Sequence, residues 1–241
     1  MRTAGRILAE IMHQIKQDIK PNTNTWNLEK KFLKLCKKHK VTPACKGYNP
    51  FKIEPYPTGL CVYRNDESMH CYPKKTKTLK QGDIATVDTT IKKDGMHVDM
   101  AFCTVVGKAS PIRQKLVKTA EKALYDSISK IKNDVRIKII SKQIYDTAKK
   151  AGFDVIRDFA GHGIGKKMHE FPEIPCFVVH DDVDTLKTGM TVCVEPLICQ
   201  GNPKMKHLNI WETKMVDGKD FAQFEHTVLV TKNGYEILTT R

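Results

Sequence analysis

The sequence predicts an α+β fold built from two related halves, and three observations carry that expectation. Two helical stretches followed by several strand-like runs occur twice along the chain. Residues 79–88 (LKQGDIATVD) and 186–195 (LKTGMTVCVE) share the pattern L-K-x-G-x-x-x-x-V-acid, aligning Leu79, Lys80, Gly82, Val87 and Asp88 with Leu186, Lys187, Gly189, Val194 and Glu195. Each copy ends a buried-looking strand in a carboxylate, which is costly unless a cation or a partner compensates it. The 241 residues are read as a single domain, with halves of about 1–107 and 108–241.

The elements follow in order. Residues 4–20 carry a helical stripe of Ile7, Leu8, Ile11, Met12, Ile15 and Ile19 that Pro21 ends. Asn24 or Thr25 is placed to cap a second helix through Leu28, Phe32, Leu33 and Leu35. Strand-like runs GLCVYR, DIATVDTTI and HVDMAFCTVVG come next. Pro111 sits where a first helical turn tolerates it, and a long helix is expected through Ile131. A further helix is expected from about Ile137 to Ala151, stopped by Gly152. The runs FDVIRDF, CFVVH, MTVCVEPLI, WETKMV and FAQFEHTVLVT close the chain as expected strands.

Bulk properties bound the function. With 40% apolar and 28% charged residues, collagen-like, low-complexity and wholly disordered readings are excluded. No apolar run approaches the roughly 18 residues of a membrane span. The first twenty residues lack the apolar core and cleavage site of a secretory signal and carry Glu10 and Asp18, so a cytoplasmic protein is expected. Eight cysteines without a C-x-x-C pair read as buried free thiols in a reducing compartment. Lys and Arg number 41 against 27 acids, a net charge of +14 that favours contact with polyanions such as the ribosome. Few aromatics interleave with the lysines, so sequence-specific nucleic-acid recognition is not expected.

The chemistry lies in the acids. Asp94-Gly95 between two alternating runs is a two-residue hairpin signal. That turn pairs Lys93 with Met96, Lys92 with His97, Ile91 with Val98 and Thr90 with Asp99, and it makes Asp88 and Asp99 diagonal neighbours on one face. Like charges this close require a bound cation or a raised pKa if the face is buried. Glu195 and Glu225 stand in similar strand settings, and His162 lies between glycines in F-A-G-H-G-I-G. Four acids and an imidazole suit a site for two divalent ions, with Co, Mn, Fe and Zn all compatible.

Taken together, Asp88, Asp99, G-H162-G-I-G, H169-E, V-E195-P and Q-F-E225-H-T resemble the methionine aminopeptidases of the shorter, bacterial type (type I). The resemblance spans nearly the whole chain, from R-T-A-G-R at positions 2–6 to N-G-Y-E-I-L near the end. It implies the pita-bread fold, with helices outside a curved, mainly antiparallel sheet. It also implies ligand roles: Asp88 on one metal, His162 and Glu195 on the other, Asp99 and Glu225 bridging both. By the same resemblance His70 lies near the scissile bond and His169 contacts the substrate carbonyl. The pocket for the methionine side chain takes Tyr48, Cys61 and Trp211, joined by Cys45, Tyr56 and Met168. The chain departs from the family in three ways. It begins part-way into the family's opening segment. Cys71 stands where glycine is usual, beside the expected substrate channel. The segment GYNPFKIEPYPTG is longer than usual.

The reaction so implied is metal-dependent removal of the N-terminal methionine of nascent chains, with a small second residue preferred. Glu195 is the expected proton carrier, and His70 and His169 are the expected hydrogen-bond donors. A monomer is expected. Two rivals follow from the same residues. An X-Pro peptidase of this fold shares the five ligands and normally carries an extra N-terminal domain, for which 241 residues leave no room. A non-catalytic ribosome- or RNA-binding scaffold would use the +14 charge, and loss of ligands would be its mark.

Overall fold

A computed structural model describes residues 1–179 and 183–241. In chain order the elements are α1 (Arg2–Lys16), α2 (Thr25–His39), β1 (Thr42–Pro43), β2 (Cys61–Arg64), β3 (Ile84–Lys93), β4 (Met96–Val105), α3 (Pro111–Ile128) and α4 (Ile137–Lys150). Ten strands follow: β5 (Asp154–Val155), β6 (Ala160–Gly163), β7 (Glu170–Pro175), β8 (Thr191–Val194), β9 (Leu197–Cys199), β10 (Met205–His207), β11 (Thr213–Met215), β12 (Phe221–Gln223), β13 (Glu225–Thr231) and β14 (Gly234–Ile237).

The helices start where local chemistry says they should. The Asn24 side chain accepts a hydrogen bond from the Trp26 amide at 2.9 Å, satisfying one of the free donors of α2's first turn. Pro111 opens α3, and Gly152, at φ +82°, follows the end of α4. Leu8, Ile11, Met12 and Ile15 of α1 are wholly buried, and that helix lies against β3 and β4. Helix α1 stops at Lys16, four residues short of the expected end. No described helix is long and apolar enough to cross a membrane.

The main sheet runs β1-β3-β4-β13-β8-β6-β7, with β2 also paired to β3 and β14 to β13. The Asp94-Gly95 turn forms with both residues at positive φ, 50° and 82°, and the hairpin register is the expected one through Lys93–Met96 and Thr90–Asp99. The two L-K-x-G segments are built alike. Gly82 (φ +86°) donates its amide to the Val106 carbonyl, and Gly189 (φ +93°) donates to that of Val230. The Leu79 carbonyl accepts from Asn22 and that of Leu186 from Asp134, each at 2.8 Å. Strand β4, paired to β3 of the first segment, joins β13, paired to β8 of the second, through Ala101–Glu225 and Met100–His226, so one sheet runs through both.

Four strand expectations need correction. MTVCVEPLI and FAQFEHTVLVT are each broken in two, at Glu195-Pro196 and at Phe224. At Glu195-Pro196 the chain leaves the main sheet for one of order β12-β9-β5, and at Phe224 it returns from that sheet to the main one; Gln223 pairs there with Leu197. Pro196 lacks the amide needed to continue the ladder. In CFVVH the described residues, Cys176 to Val179, form no strand, and His180 lies outside the described residues. The strand lies just upstream as β7, where buried Pro172 and Ile174 alternate with exposed Phe171 and Glu173. Only Asp154–Val155 of FDVIRDF is extended. All eight cysteines are free; seven are buried and Cys45 is half-buried.

Helix α1 also docks on the chain's end. A Cβ built at Gly5 falls 2.0 Å from the Leu238 carbonyl oxygen and 2.6 Å from its carbon, and backbone cannot step aside cheaply. Gly5→Ala should therefore destabilise the protein by about 1–3 kcal/mol, read as a lower midpoint in urea or thermal unfolding.

Candidate metal centre and active site

Five neighbouring strands of the main sheet each deliver one of the expected donors. Asp88 comes from β3, Asp99 from β4, Glu225 from β13, Glu195 from the residue after β8, and His162 from β6. Ala101 pairs with Asp88 on one side and Glu225 on the other, which sets those two acids in one row across the sheet. Asp88 and Thr90 face the cavity, leaving Val87 and Ile91 for the opposite, wholly buried face. Residues 161–163 run close to their neighbours: a Cβ at Gly161 would lie 2.4 Å from the Cys193 carbonyl oxygen, and one at Gly163 would lie 2.2 Å from that of Phe171. The glycines flanking His162 are thus required by proximity and not by left-handed backbone.

Four of the five donors are held by hydrogen-bond partners. The Tyr63 hydroxyl donates to Asp88 Oδ2 at 2.7 Å. Thr90, directly opposite Asp99 in the ladder, donates its hydroxyl to Asp99 Oδ2 at 2.5 Å, and the Met100 amide donates to Oδ1 at 2.9 Å. Gln223 donates to Glu195 Oε2 at 3.3 Å. His162 Nδ1 lies 2.8 Å from the Gly163 carbonyl, which can only accept, so Nδ1 carries the proton. Nε2 is left with its lone pair, 3.8 Å from Glu195 Oε1, the arrangement a metal-ligating histidine takes.

The electrostatics ask for cations. Burial, then the neighbouring Asp99, pushes the Asp88 carboxyl up to about 8. Asp99 is raised by burial, and Glu195 and Glu225 are raised well above the usual range by burial and then by the surrounding carboxylates. Glu225 Oε1 is buried without a hydrogen-bond partner. Ligand atoms of Asp99, His162, Cys193 and Glu225 all lie within 4.8 Å of one another. An orphaned carboxylate oxygen, a histidine with its lone pair free and oxygen-rich company fit a divalent ion.

The donors open into a cavity of about 1160 Å³. Every expected pocket residue lines it: Tyr48, Cys61 and Trp211, with Cys45, Tyr56 and Met168, together with His70 and His169. The Tyr56 hydroxyl donates to Cys61 Sγ at 3.0 Å, and its ring meets Trp211 edge-on at 5.4 Å. His70, at φ +59°, is boxed edge-on by Phe159 (5.1 Å) and Trp211 (6.5 Å). Burial first, then His169 and His207, lowers its pKa to about 4. His169 stacks edge-on against His162 at 4.5 Å, and its Nδ1 lies 2.9 Å from the Tyr48 hydroxyl. Cys71 is corrected: it is fully buried, donates to the Thr213 carbonyl at 3.2 Å, and is not among the cavity-lining residues.

Sequence reasoning missed Cys193, Phe159, Gln223 and the clamp of Thr227, whose hydroxyl bonds both the amide and the carbonyl of Asp99. Strand alternation was the available signal, since Cys193 and Thr227 stand two residues from Glu195 and Glu225 and so share their faces.

The model of metallopeptidase family M24 matches residues 1–232, and the chain belongs to that family. Among curated relatives, the methionine aminopeptidase of Aquifex aeolicus is 38% identical over 243 residues, covering 99% of this chain and 94% of that protein. Among solved structures, the methionine aminopeptidase of Thermotoga maritima superposes with a TM-score of 0.95 at 36% identity, covering 100% of this chain and 95% of the other. The prolidase of Pyrococcus furiosus shares the fold alone, with a TM-score of 0.78 at 19% identity; this chain spans 63% of it. The pita-bread architecture implied by the motifs is the one found.

The charge cluster makes stability depend on pH. An acid whose folded pKa is raised keeps a proton that the unfolded chain has lost, so its ionisation weakens the fold as pH rises from about 4 to the folded value. Burial lowers His70, His169 and His226 to about 4, which acts oppositely below their ordinary 6.5. Between about pH 6.5 and 8 those histidines are neutral in both states and the carboxylates decide. Metal-free protein should lose thermal stability as pH rises across that window, and added Mn²⁺ should restore it most at pH 8. Glu225→Gln should raise the metal-free midpoint at pH 8 and shrink the response to Mn²⁺; differential scanning calorimetry reads both.

Proposed function

We propose that this protein removes the N-terminal methionine from polypeptides, with Asp88, Asp99, His162, Glu195 and Glu225 holding two divalent ions between them. The observation that carries the reading is the meeting, in one cavity, of those five donors with a slot of thiols and ring edges. Divalent ions bound there lower the pKa of water from about 15.7 towards 7 and polarise a carbonyl.

The chain's own groups supply the rest. Cys61, Tyr56, Trp211 and Met168 form a soft, apolar slot suited to an unbranched thioether side chain. The Tyr48 hydroxyl, 2.9 Å from His169 Nδ1, fixes the orientation of that ring and leaves Nε2 for the cavity; in the tautomer in which Tyr48 donates, Nε2 carries the proton. His70 is likewise uncharged at neutral pH. Both therefore serve as hydrogen-bond donors to the peptide nitrogen and the developing oxyanion without adding a buried charge. Glu195 takes the proton of the attacking water and passes it to the leaving nitrogen. The His70 wall, boxed by Phe159 and Trp211, cannot retreat, and this favours a small second residue. The substrates are nascent-chain N-termini in the cytoplasm, met by a monomer. The +14 charge, with exposed Lys34, Lys37 and Lys38 on α2, supports docking on a polyanionic ribosome.

Mn²⁺-loaded protein should release methionine from Met-Ala-Ser and not from Met-Lys-Ser. Absence of release from the first, or release of alanine from Ala-Pro-Ser at a comparable rate, contradicts the reading. His169→Ala should lower kcat for Met-Ala-Ser by about 100- to 1,000-fold, followed by methionine quantitation.

A further inference from the structure

Resting on that reading of the site, we propose that Phe51 and Phe171 form a subsite for an apolar side chain at the third or fourth residue of the substrate.

Both rings line the same cavity as the five donors, yet each is 69% exposed. Exposed apolar surface that continues into a ligand-sized cavity is where a bound chain can bury it. The mouth is also built to hold them in place. Phe51 stands on a loop pinched at its base, where Gly47 donates its amide to the Tyr56 carbonyl and Tyr56 donates its own to that of Tyr48. Phe171 follows His169 by two residues, and Phe51 follows Tyr48 by three. The 2.9 Å hydrogen bond between Tyr48 and His169 therefore ties the two ring-bearing segments together across the rim.

The occupant follows from continuity with the cavity. Drug-sized ligands fill about 300–1,000 Å³, so a cavity of about 1160 Å³ has room beyond a methionine and one small residue. A chain whose first residue is seated at the donors must leave through this mouth, advancing at most about 3.6 Å per residue. Its third and fourth residues then pass the rim. Charge of one sign does not dominate there, because Lys166 and Lys167 stand among Asp158, Glu170 and Glu173. The aromatic pair is what remains to discriminate, and it favours apolar side chains.

The test compares kcat/KM for Met-Ala-Phe-Ser and Met-Ala-Ser-Phe with that for Met-Ala-Ser-Ser, in Mn²⁺-loaded wild-type protein and in Phe51→Ser, Phe171→Ser and the double variant. The ratio is taken within one preparation, so a partly folded variant leaves it unchanged. Wild-type protein should favour at least one phenylalanine peptide about tenfold, and the preference should fall towards one in the double variant. Equal kcat/KM for all three peptides in wild-type protein, or a preference that survives both substitutions, overturns the subsite and leaves the methionine-releasing activity standing. No methionine release from any peptide overturns both.

Discussion

Four carboxylates buried in one cavity cannot all be ionised without cations among them. Asp88, Asp99, Glu195 and Glu225 are each less than one-tenth exposed, and each raises the charging cost of the others. A core selected for stability alone would not hold this group, since apolar residues of similar volume would pack there at no electrostatic cost. The neutral Tyr63, Thr90 and Gln223 hold the acids in position but do not neutralise them. Membership of a metallopeptidase family accounts for the anomaly: the cluster is arranged for the metal-bound state.

The fold makes such an arrangement possible by joining, edge to edge, the strands that pair with two similarly built segments. The β4–β13 pairing is the seam, and Ala101, a small residue, leaves room on either side for Asp88 and Glu225. The chain changes sheets at Glu195-Pro196 and at Phe224, beside two of the donors. A donor at the end of a strand is still fixed by the ladder behind it, yet its side chain meets the cavity unobstructed. Around the donors, His162 and His169 touch edge to edge, so the residues assigned to ions and those assigned to the peptide form one continuous surface.

Much of this was legible in the sequence wherever a local rule acts alone. Asp94-Gly95 determined the hairpin register residue by residue, because only a tight turn with two positive φ angles joins strands that closely. Asn24 and Pro111 marked helix starts for similarly local reasons. The acids stood out because charge at the end of an apolar run is expensive. What stayed hidden depends on the tertiary structure. The prolines of Glu170–Pro175 obscured an alternation that pairs β7 with β6. Nothing in FAQFEHTVLVT marks the break at Phe224, since an apolar residue continues the pattern there. Cys193 and Thr227 carry no charge and look like any strand residue until the neighbouring strand places them beside Glu225 and Asp99. Cys71 failed differently: its position next to His70 suggested a place in the channel, but the backbone turns its thiol towards Thr213.

The central claim is that these five side chains are one ligand set for a pair of ions. Anomalous diffraction at the manganese edge, from crystals grown with Mn²⁺, tests it most directly. The account predicts two peaks bounded by Asp88, Asp99, His162, Glu195 and Glu225. Peaks at other residues, or none within the cavity at saturating Mn²⁺, would contradict it.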